Sequence, residues 1–260
     1  MLVTLAAVAQ RDEIIAFCDE FLDAGSFDDY APNGLQVPGA QQVDAIATAV
    51  SANLETLKKA VSGGAQLVLV HHGLIWGSGA EPLTLSMASR LRTILSSGVG
   101  LAAYHLPLDA HSEIGNNVLL RDALGLTPDP RPFAEAKGSP IGAIGFAEHG
   151  VDIVELESRL RSATGSEPLV FDSGPDLIRL VGIVTGGGSF AIHEAAEMGL
   201  DALVTGEPSE PVMAEANEYG IHFLAGGHYA TETSGIKALG LIVAQRFGVP
   251  HRFVDVPNPV

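Results

Sequence analysis

Short apolar runs alternate with amphipathic segments along most of the chain. The apolar runs predict buried strands at 43–50, 67–70, 99–104, 140–147, 178–184, 201–205 and 221–225. The amphipathic segments predict helices at 84–96, 116–124, 152–163, 189–198, 208–218 and 231–247, and one more that starts after Asn53 and ends at Gly63 and Gly64. A short strand is expected at 251–256. This β-α-β alternation predicts an α/β fold, organised as two interlinked α/β lobes with mixed, mostly parallel sheets.

Composition narrows the classes of function. The 260 residues contain 14 Lys and Arg against 31 Asp and Glu, a net charge of −17, which disfavours general nucleic-acid binding. Cys18 is the only cysteine, so an intramolecular disulfide, an iron–sulfur cluster and a thiolate zinc site are excluded. No apolar run reaches the roughly 20 residues of a membrane span. The apolar start lacks a basic region and continues into a charged helical pattern, so we interpret it as mature, cytoplasmic sequence.

Histidines and one carboxylate follow two of the predicted strands directly. His71 and His72 come at the end of the 67–70 strand, and His105 and Asp109 follow the 99–104 strand. Sites in open parallel sheets form beyond the carboxyl ends of strands, so both segments lie where ligands bind. Pro107 disfavours helix at the preceding residue, which predicts a loop here. Adjacent strand residues point to opposite faces, so His71 and His72 fit two neighbouring ions better than one.

A third segment has the same position relative to its strand. His228 and Glu232 follow the 221–225 strand and open the last long helix, where a spacing of four residues lets them face one site. Isolated histidines are more often structural than metal ligands, but three clusters at equivalent strand ends favour a metal site. Imidazole and carboxylate groups suit zinc, manganese, iron, cobalt or nickel. Four histidines and two carboxylates fit two divalent ions about 3.5–4 Å apart.

Several uncommon motifs occur in a fixed order from residue 30 to the C-terminus. They are Pro32–Val37, His71–Gly73, His105–His111, Gly115–Asn117, Thr185–Gly188, Thr205–Glu207, Gly227–Glu232 and Val256–Pro259. Together these motifs closely resemble the Nif-three-like family, whose bacterial YbgI branch carries the name GTP cyclohydrolase 1 type 2 homologue. Longer members of that family insert an extra domain, and this chain is similar to the short form.

The resemblance implies a dinuclear divalent metal centre and a ring-shaped homohexamer. Carried over by motif, the expected metal ligands are His71, His72, His105, Asp109, His228 and Glu232, and Glu232 is the expected bridging carboxylate. Many family members place an aspartate and a later histidine where this chain has Glu207 to Glu210. In this segment the chain is similar to the YbgI branch. Whether these glutamates act in catalysis stays open, because acidic residues also favour the first turn of a helix.

The ligand positions also determine the predicted lobes. Residues after Pro128 lose a clear pattern, which indicates a linker. Because the ligands at 228 and 232 must meet those at 71–109, we predict a metal-binding lobe of 1–128 plus 225–260. The second lobe is predicted to be 129–224.

Three further features each have more than one interpretation. The glycine-rich segment Thr185–Ser189 could hold a phosphate at a helix N-terminus or form a tight turn with Ser189 as the N-cap. Trp76 could border the site, although a core position is the simpler interpretation. His111 could support a ligand, shuttle protons or lie on the surface.

The leading functional hypothesis is a dinuclear metal-dependent hydrolase of a small substrate, with a metal-bridging water as nucleophile. A nucleotide-like substrate is implied only by the family name. The acid or base is unassigned among His105, His111 and Glu207. The alternative is a non-catalytic metal-binding scaffold or regulatory ring. A ring that encloses DNA is opposed by the charge of −17.

Overall fold

The structure is a computed structural model that describes residues 8–77 and 82–260. The strands are β1 (Ala9–Gln10), β2 (Gly34–Val37), β3 (Gln42–Val43), β4 (Ile46–Ser51), β5 (Leu67–His72), β6 (Gly100–Ala103), β7 (Thr127–Asp129), β8 (Glu135–Ala136), β9 (Ser139–Pro140), β10 (Ala143–Val151), β11 (Leu169–Phe171), β12 (Ile178–Val184), β13 (Ala202–Thr205), β14 (His222–Ala225) and β15 (His251–Phe253). The α-helices are α1 (Arg11–Phe21), α2 (Leu54–Ser62), α3 (Leu85–Ser97), α4 (Leu106–Ala110), α5 (Asn116–Ala123), α6 (Ile153–Thr164), α7 (Ile192–Glu197), α8 (Val212–Tyr219), α9 (His228–Thr231) and α10 (Thr233–Phe247). Single 3₁₀ turns occur at Ala24–Ser26 and Gly188–Ala191. Most of the apolar start lies outside the described residues.

The chain forms two compact units. Unit 1 contains Met1–Leu108 and Ile236–Val256, and unit 2 contains Asp109–Gly235 and Pro257–Val260. The predicted lobe boundaries at 128 and 225 differ from this division. Helix α5 packs on β10 and β12, and β14 pairs with β13, so the segments around residues 120 and 225 belong to the sheet of unit 2.

Unit 1 is built on a five-stranded sheet with the order β15-β4-β5-β6-β2. Strands β15, β4, β5 and β6 run parallel to one another, and β2 pairs with β6 in the antiparallel direction. Strands β4, β5 and β6 are almost wholly buried, which explains their continuous apolar sequence. Helix α2 begins at the predicted cap, where Asn53 Oδ1 accepts a hydrogen bond of 2.9 Å from Thr56 N. The parallel strands therefore end together at one edge of this sheet.

Unit 2 is built on a six-stranded sheet with the order β11-β14-β13-β12-β10-β7. Strands β12, β13 and β14 are mutually parallel, and the outer strands are antiparallel. The sheet of unit 1 is thus mostly parallel, whereas in the sheet of unit 2 only the three central strands are parallel. The predicted α/β class with mixed sheets is confirmed.

Several elements were not predicted from the sequence. Strand β2 (Gly34–Val37) has no counterpart among the predicted strands, and β8 and β9 form a hairpin in the predicted linker. Helix α4 replaces the predicted loop at Leu106–Ala110. Pro107 lies in its first turn, where the missing N–H costs no helical hydrogen bond. Each helix that the structure describes is too short or too polar to span a lipid bilayer.

Candidate metal-binding site

Three histidines lie together in unit 1 at the carboxyl ends of parallel strands. His71 and His72 end β5, and His105 follows β6 with one residue between. One ring nitrogen of each lies within 4.8 Å of a ring nitrogen of the other two. The ring centroids of His71 and His72 are 4.6 Å apart, although strand residues normally alternate between faces. The structure thus brings half of the six predicted ligands into one group.

Hydrogen bonds at Nδ1 orient these rings. His71 is fully buried, and its Nδ1 donates to the carbonyl oxygen of Tyr104 at 2.9 Å. A carbonyl oxygen only accepts, so the proton is on Nδ1 and the lone pair is on Nε2. His72 Nδ1 lies 3.1 Å from Ser51 Oγ at the end of the neighbouring strand. Metal-binding histidines are commonly oriented by a hydrogen bond from the other ring nitrogen, as here.

Asp29 orients the third histidine and was missed by the sequence analysis. Its Oδ1 lies 2.7 Å from His105 Nδ1, and its Oδ2 accepts from Asn33 Nδ2 and Leu106 N, both at 2.9 Å. Burial opposes ionisation of Asp29, but its hydrogen bonds, first of all to His105, outweigh burial and lower its pKa. The carboxylate is therefore charged at neutral pH and keeps the proton of His105 on Nδ1. No local pattern marks Asp29, because its partner lies 76 residues away.

A second group of candidate ligands lies in unit 2. His228 begins α9, directly after the Gly226–Gly227 turn that follows β14. Its Nε2 lies 3.2 Å from Glu232 Oε1, and its Nδ1 lies 3.2 Å from Glu207 Oε1. The predicted proximity of His228 and Glu232 is therefore observed. Burial lowers the pKa of His228, but Glu232 and then Glu207 outweigh burial and raise it to about 9.

The glycine-rich turn after β12 packs directly against this pair. Gly186 has a φ of +66°, and a Cβ there would lie 2.1 Å from Glu232 Oε1 and 3.0 Å from His228 Nε2. Any side chain would thus occupy the space beside the two ligand atoms. Ser189 lies inside the 3₁₀ turn and is not its N-cap; its Oγ donates to Glu207 O at 2.7 Å. The turn therefore positions residues around His228, in addition to connecting β12 to α7.

Asp109 is held by a buried asparagine. It lies in α4 and is 6% exposed, and its Oδ1 accepts from Asn116 Nδ2 at 2.9 Å. Asn116 Oδ1 in turn accepts from Gly235 N at 2.9 Å. The neighbouring Asn117 binds main-chain groups: Ile141 O at 2.7 Å, Thr185 N at 2.6 Å and Asp109 O at 3.3 Å. One of these two buried amides therefore fixes a candidate ligand, and the other fixes the backbone.

The remaining candidates have different surroundings. His111 Nδ1 accepts from the backbone amides of Glu113 and Ile114, both at 3.2 Å, so it stabilises the turn before α5. Trp76 is 43% exposed, so the interpretation as a core residue is wrong. Glu210 is exposed and precedes α8.

The donor set fits a divalent cation of intermediate softness. The histidine group supplies imidazole nitrogens, and His228, Glu232 and Asp109 supply a nitrogen and carboxylate oxygens. These are the atoms that bind zinc, manganese, iron, cobalt or nickel in proteins. The side chain of Glu232 is only 4% exposed and lies beside Gly186, so the carboxylate has little room to turn away.

Comparison with known proteins places the chain in a family. A family model described as Duf34/NIF3 (NGG1p interacting factor 3) matches residues 9–259. A protein of Deinococcus radiodurans named GTP cyclohydrolase 1 type 2 homolog is 40% identical over 250 residues, 95% of this chain and 94% of that one. A Pyrococcus abyssi protein of the same name is 42% identical over 250 residues, 96% of this chain and 99% of that one.

A solved structure gives the same result. The structure described as protein ybgI, of unknown function, has a TM-score of 0.91 to this chain at 39% identity. The match covers 97% of this chain and 100% of the ybgI chain. The resemblance inferred from the motifs is confirmed, and the chain belongs to the Duf34/NIF3 family.

Proposed function

We propose that the protein is a dinuclear divalent-metal-dependent hydrolase of a small, nucleotide-like substrate. In this proposal His71, His72, His105, Asp109, His228 and Glu232 bind two ions. The observation that carries it is the histidine group of unit 1. Three imidazoles with nitrogens within 4.8 Å of one another, two of them held by Nδ1 donation, are arranged as cation ligands.

The proposal assigns candidate ligands from both units, and three of them lie close in sequence to the points where the chain passes between the units. The chain passes from unit 1 to unit 2 between Leu108 and Asp109, and returns between Gly235 and Ile236. His105 lies just before the first crossing, Asp109 directly after it, and Glu232 three residues before the second. Four residues span at most about 14 Å, so His105 and Asp109 stay close. Within unit 2, Asn116 binds both Asp109 and Gly235 and so joins the two crossings.

In the proposed chemistry the ions would activate water and substrate, and the residues of the chain would bind and orient the ions. Two divalent ions would supply a water of lowered pKa as the nucleophile and would polarise the electrophilic atom of the substrate. Glu232 is the proposed bridging ligand, since its carboxylate has two oxygens and is nearly fully buried. Asp29 and the Tyr104 carbonyl hold His105 and His71 in the tautomer that presents Nε2.

Glu207 is the proposed proton carrier. Its side chain is 37% exposed and its Oε1 lies 3.2 Å from His228 Nδ1, so it reaches both solvent and the ligand group. His105 is held by Asp29 and His111 by a backbone turn, which leaves Glu207 as the better placed of the three candidates.

The substrate class and the assembly come from the relatives. The name GTP cyclohydrolase 1 type 2 homolog supports a nucleotide-like substrate. The resemblance to the Nif-three-like family implies a homohexamer. Fold and family do not establish a reaction, so metal binding and turnover need separate tests.

The test compares metal content and hydrolysis in the same preparations. Purified protein is loaded with zinc or manganese, stripped with a chelator and reloaded, and then assayed against a panel of nucleotides. We expect hydrolysis in the loaded protein, loss after stripping and in Glu232→Gln, and full activity in Glu210→Gln, whose glutamate is exposed. Two bound ions without turnover of any nucleotide would favour the non-catalytic scaffold. Absence of metal binding would contradict both.

A further inference from the structure

Two exposed aromatic side chains border the histidine group of unit 1. Trp76 is 43% exposed and Tyr30 is 49% exposed. The Trp76 ring centroid lies 5.2 Å from that of His105 and 5.9 Å from that of His72, and the Tyr30 centroid lies 6.3 Å from that of His105. Tyr30 and Trp76, the aromatic pair, thus both approach the ring of one candidate ligand. Exposure of large aromatic side chains is characteristic of binding surfaces.

Hydrogen bonds hold the loop that carries Trp76. Gln36 Oε1 accepts from Leu74 N at 2.8 Å and from Ile75 N at 3.0 Å. The indole Nε1 of Trp76 donates to Gly73 O at 3.2 Å. The loop after β5 is therefore fixed by a side chain of β2, and the indole is fixed to the loop. A ligand that binds this ring meets a preformed surface, which lowers the entropic cost of binding.

A further hydrogen bond connects the two members of the aromatic pair. Gly77 N donates to Tyr30 O at 2.8 Å, so the loop of Trp76 is joined to the segment of Tyr30. The preceding residue, Asp29, accepts from Tyr30 N at 2.6 Å while it orients His105. The same contacts that position a candidate metal ligand therefore position the aromatic pair.

We propose that the aromatic pair binds a flat heteroaromatic ring of the substrate, of the size of a nucleobase, by stacking. This inference rests on the proposed function in one respect, because it assigns the ring to the nucleotide-like substrate proposed there. Every nucleobase has a flat π-face, so nucleobases of different kinds can stack on Trp and Tyr side chains. Because the net charge of −17 weakens contacts between phosphate groups and the protein surface, an uncharged stacking contact supplies a larger share of the binding free energy of a nucleotide.

The chain offers a direct probe and a matched control. Trp76 is the only tryptophan, so its fluorescence reports this location alone. Tyr219, in unit 2, is 45% exposed and stacks on His193 with centroids 5.7 Å apart. It resembles Tyr30 in exposure and in having a histidine neighbour, but neither Tyr219 nor His193 is a candidate ligand.

The experiment titrates full-length protein, with and without zinc, with guanosine monophosphate, uridine monophosphate or ribose 5-phosphate. Fluorescence excited near 295 nm follows Trp76, and calorimetry measures binding in Trp76→Leu and Tyr30→Leu. We expect saturable quenching by guanosine monophosphate, weaker quenching by the smaller uridine ring, and none by ribose 5-phosphate. Each substitution in the aromatic pair should weaken guanosine monophosphate binding at least about fivefold, and Tyr219→Leu should leave it unchanged.

The outcomes separate this proposal from the proposed function. Trp76→Leu should keep the wild-type zinc content, because Trp76 is not a ligand. Quenching without any hydrolysis would uphold ring binding while the hydrolase proposal fails. Equal quenching by ribose 5-phosphate would overturn ring binding, as would no quenching by either nucleotide. Wild-type affinity in both Trp76→Leu and Tyr30→Leu would overturn it as well.

Discussion

The two groups of candidate ligands differ in how they are held. In unit 1, the histidine rings are oriented through Nδ1 by a backbone carbonyl, a hydroxyl and one carboxylate. In unit 2, His228 lies between Glu207 and Glu232, which together raise its pKa to about 9. The first group presents ring nitrogens that suit a cation. In the second group, the metal-free protein keeps a proton on His228 at neutral pH.

This contrast predicts different costs of metal binding in the two units. An ion that binds His71 and His105 uses lone pairs that are already on Nε2. An ion that binds His228 and Glu232 must displace the proton of His228 and break its ion pair. A divalent ion carries twice the charge of the imidazolium, so the carboxylates attract it more strongly, which offsets that cost. We therefore expect metal binding at the proposed site to depend on Glu232 more than on any other residue.

Substitution of Glu232 should have the largest effect. Glu232→Gln keeps the shape of the side chain but removes the charge, so we expect the metal content to fall from two ions per chain to one or fewer. Elemental analysis of zinc-loaded, dialysed protein measures this, with Glu210→Gln as the control that keeps both ions. A Glu232→Gln protein with two ions per chain would show that Glu232 does not bridge them.

Substitution of Asn116 should have the next largest effect. Asn116→Asp keeps the acceptor for Gly235 N but places a carboxylate 2.9 Å from Asp109 Oδ1 in place of a donor. We expect zinc affinity to fall about 10- to 100-fold, as is typical when a partner of a metal ligand is lost. Competition with a fluorescent chelator, at a temperature where the variant is folded, gives the affinity.

Asn117→Asp is the matched control for that experiment. It makes the same change in a buried amide whose partners are all main-chain groups: Ile141 O, Thr185 N and, at 3.3 Å, the carbonyl oxygen of Asp109. The hydrogen bond of Asn117 to Asp109 is therefore to the main chain and not to the carboxylate. Asn117→Asp should lower the melting temperature yet leave zinc affinity within about twofold. Equal loss of affinity in both variants would mean that Asn116 acts through fold stability and does not orient Asp109.

The stability of the metal-free protein should depend on pH through His228. Glu232 and Glu207 raise its pKa in the folded protein from the ordinary 6.5 to about 9, so its ion pairs stabilise the fold fully below pH 6.5. This contribution is lost as the pH rises from 6.5 to 9. Denaturant unfolding of metal-free protein should therefore show lower stability at pH 9 than at pH 6.5. The decrease should be smaller in Glu232→Gln, and an equal decrease in both would contradict the assignment to His228.

Substitution of Ser51 should have the smallest effect. Its hydroxyl lies 3.1 Å from His72 Nδ1, but water can replace it because His72 is only partly buried. We expect Ser51→Ala to weaken zinc binding by a few-fold at most, measured by the same chelator competition. A loss as large as that in Asn116→Asp would show that the unit 1 rings depend on their partners as strongly as Asp109 does.

The sequence predicted the elements whose signals are local. Buried parallel strands have continuous apolar sequences, and Asn53 caps α2 as expected. His71, His72, His105 and His228 were identified because they follow such strands directly. The spacing of His228 and Glu232 also sufficed, because both lie within about one helical turn.

The features that the sequence missed depend on contacts between distant residues. Asp29 belongs to no motif, and only the fold brings it to His105. The role of Gly186 becomes visible only in the fold, which places Glu232 Oε1 2.1 Å from the position that a Cβ of residue 186 would take. Strand β2 is short and pairs through a shifted register, so it has too few residues for an alternating pattern. Local sequence therefore predicts the candidate ligands better than the residues that hold them.

Anomalous diffraction from crystals of the zinc-loaded protein tests the central claim most directly. The account predicts two peaks per chain about 3.5–4 Å apart, with nitrogen ligands from His71, His72 or His105 and oxygen ligands from Glu232 and Asp109. Two distant peaks, each bound within one unit and sharing no carboxylate, would contradict it.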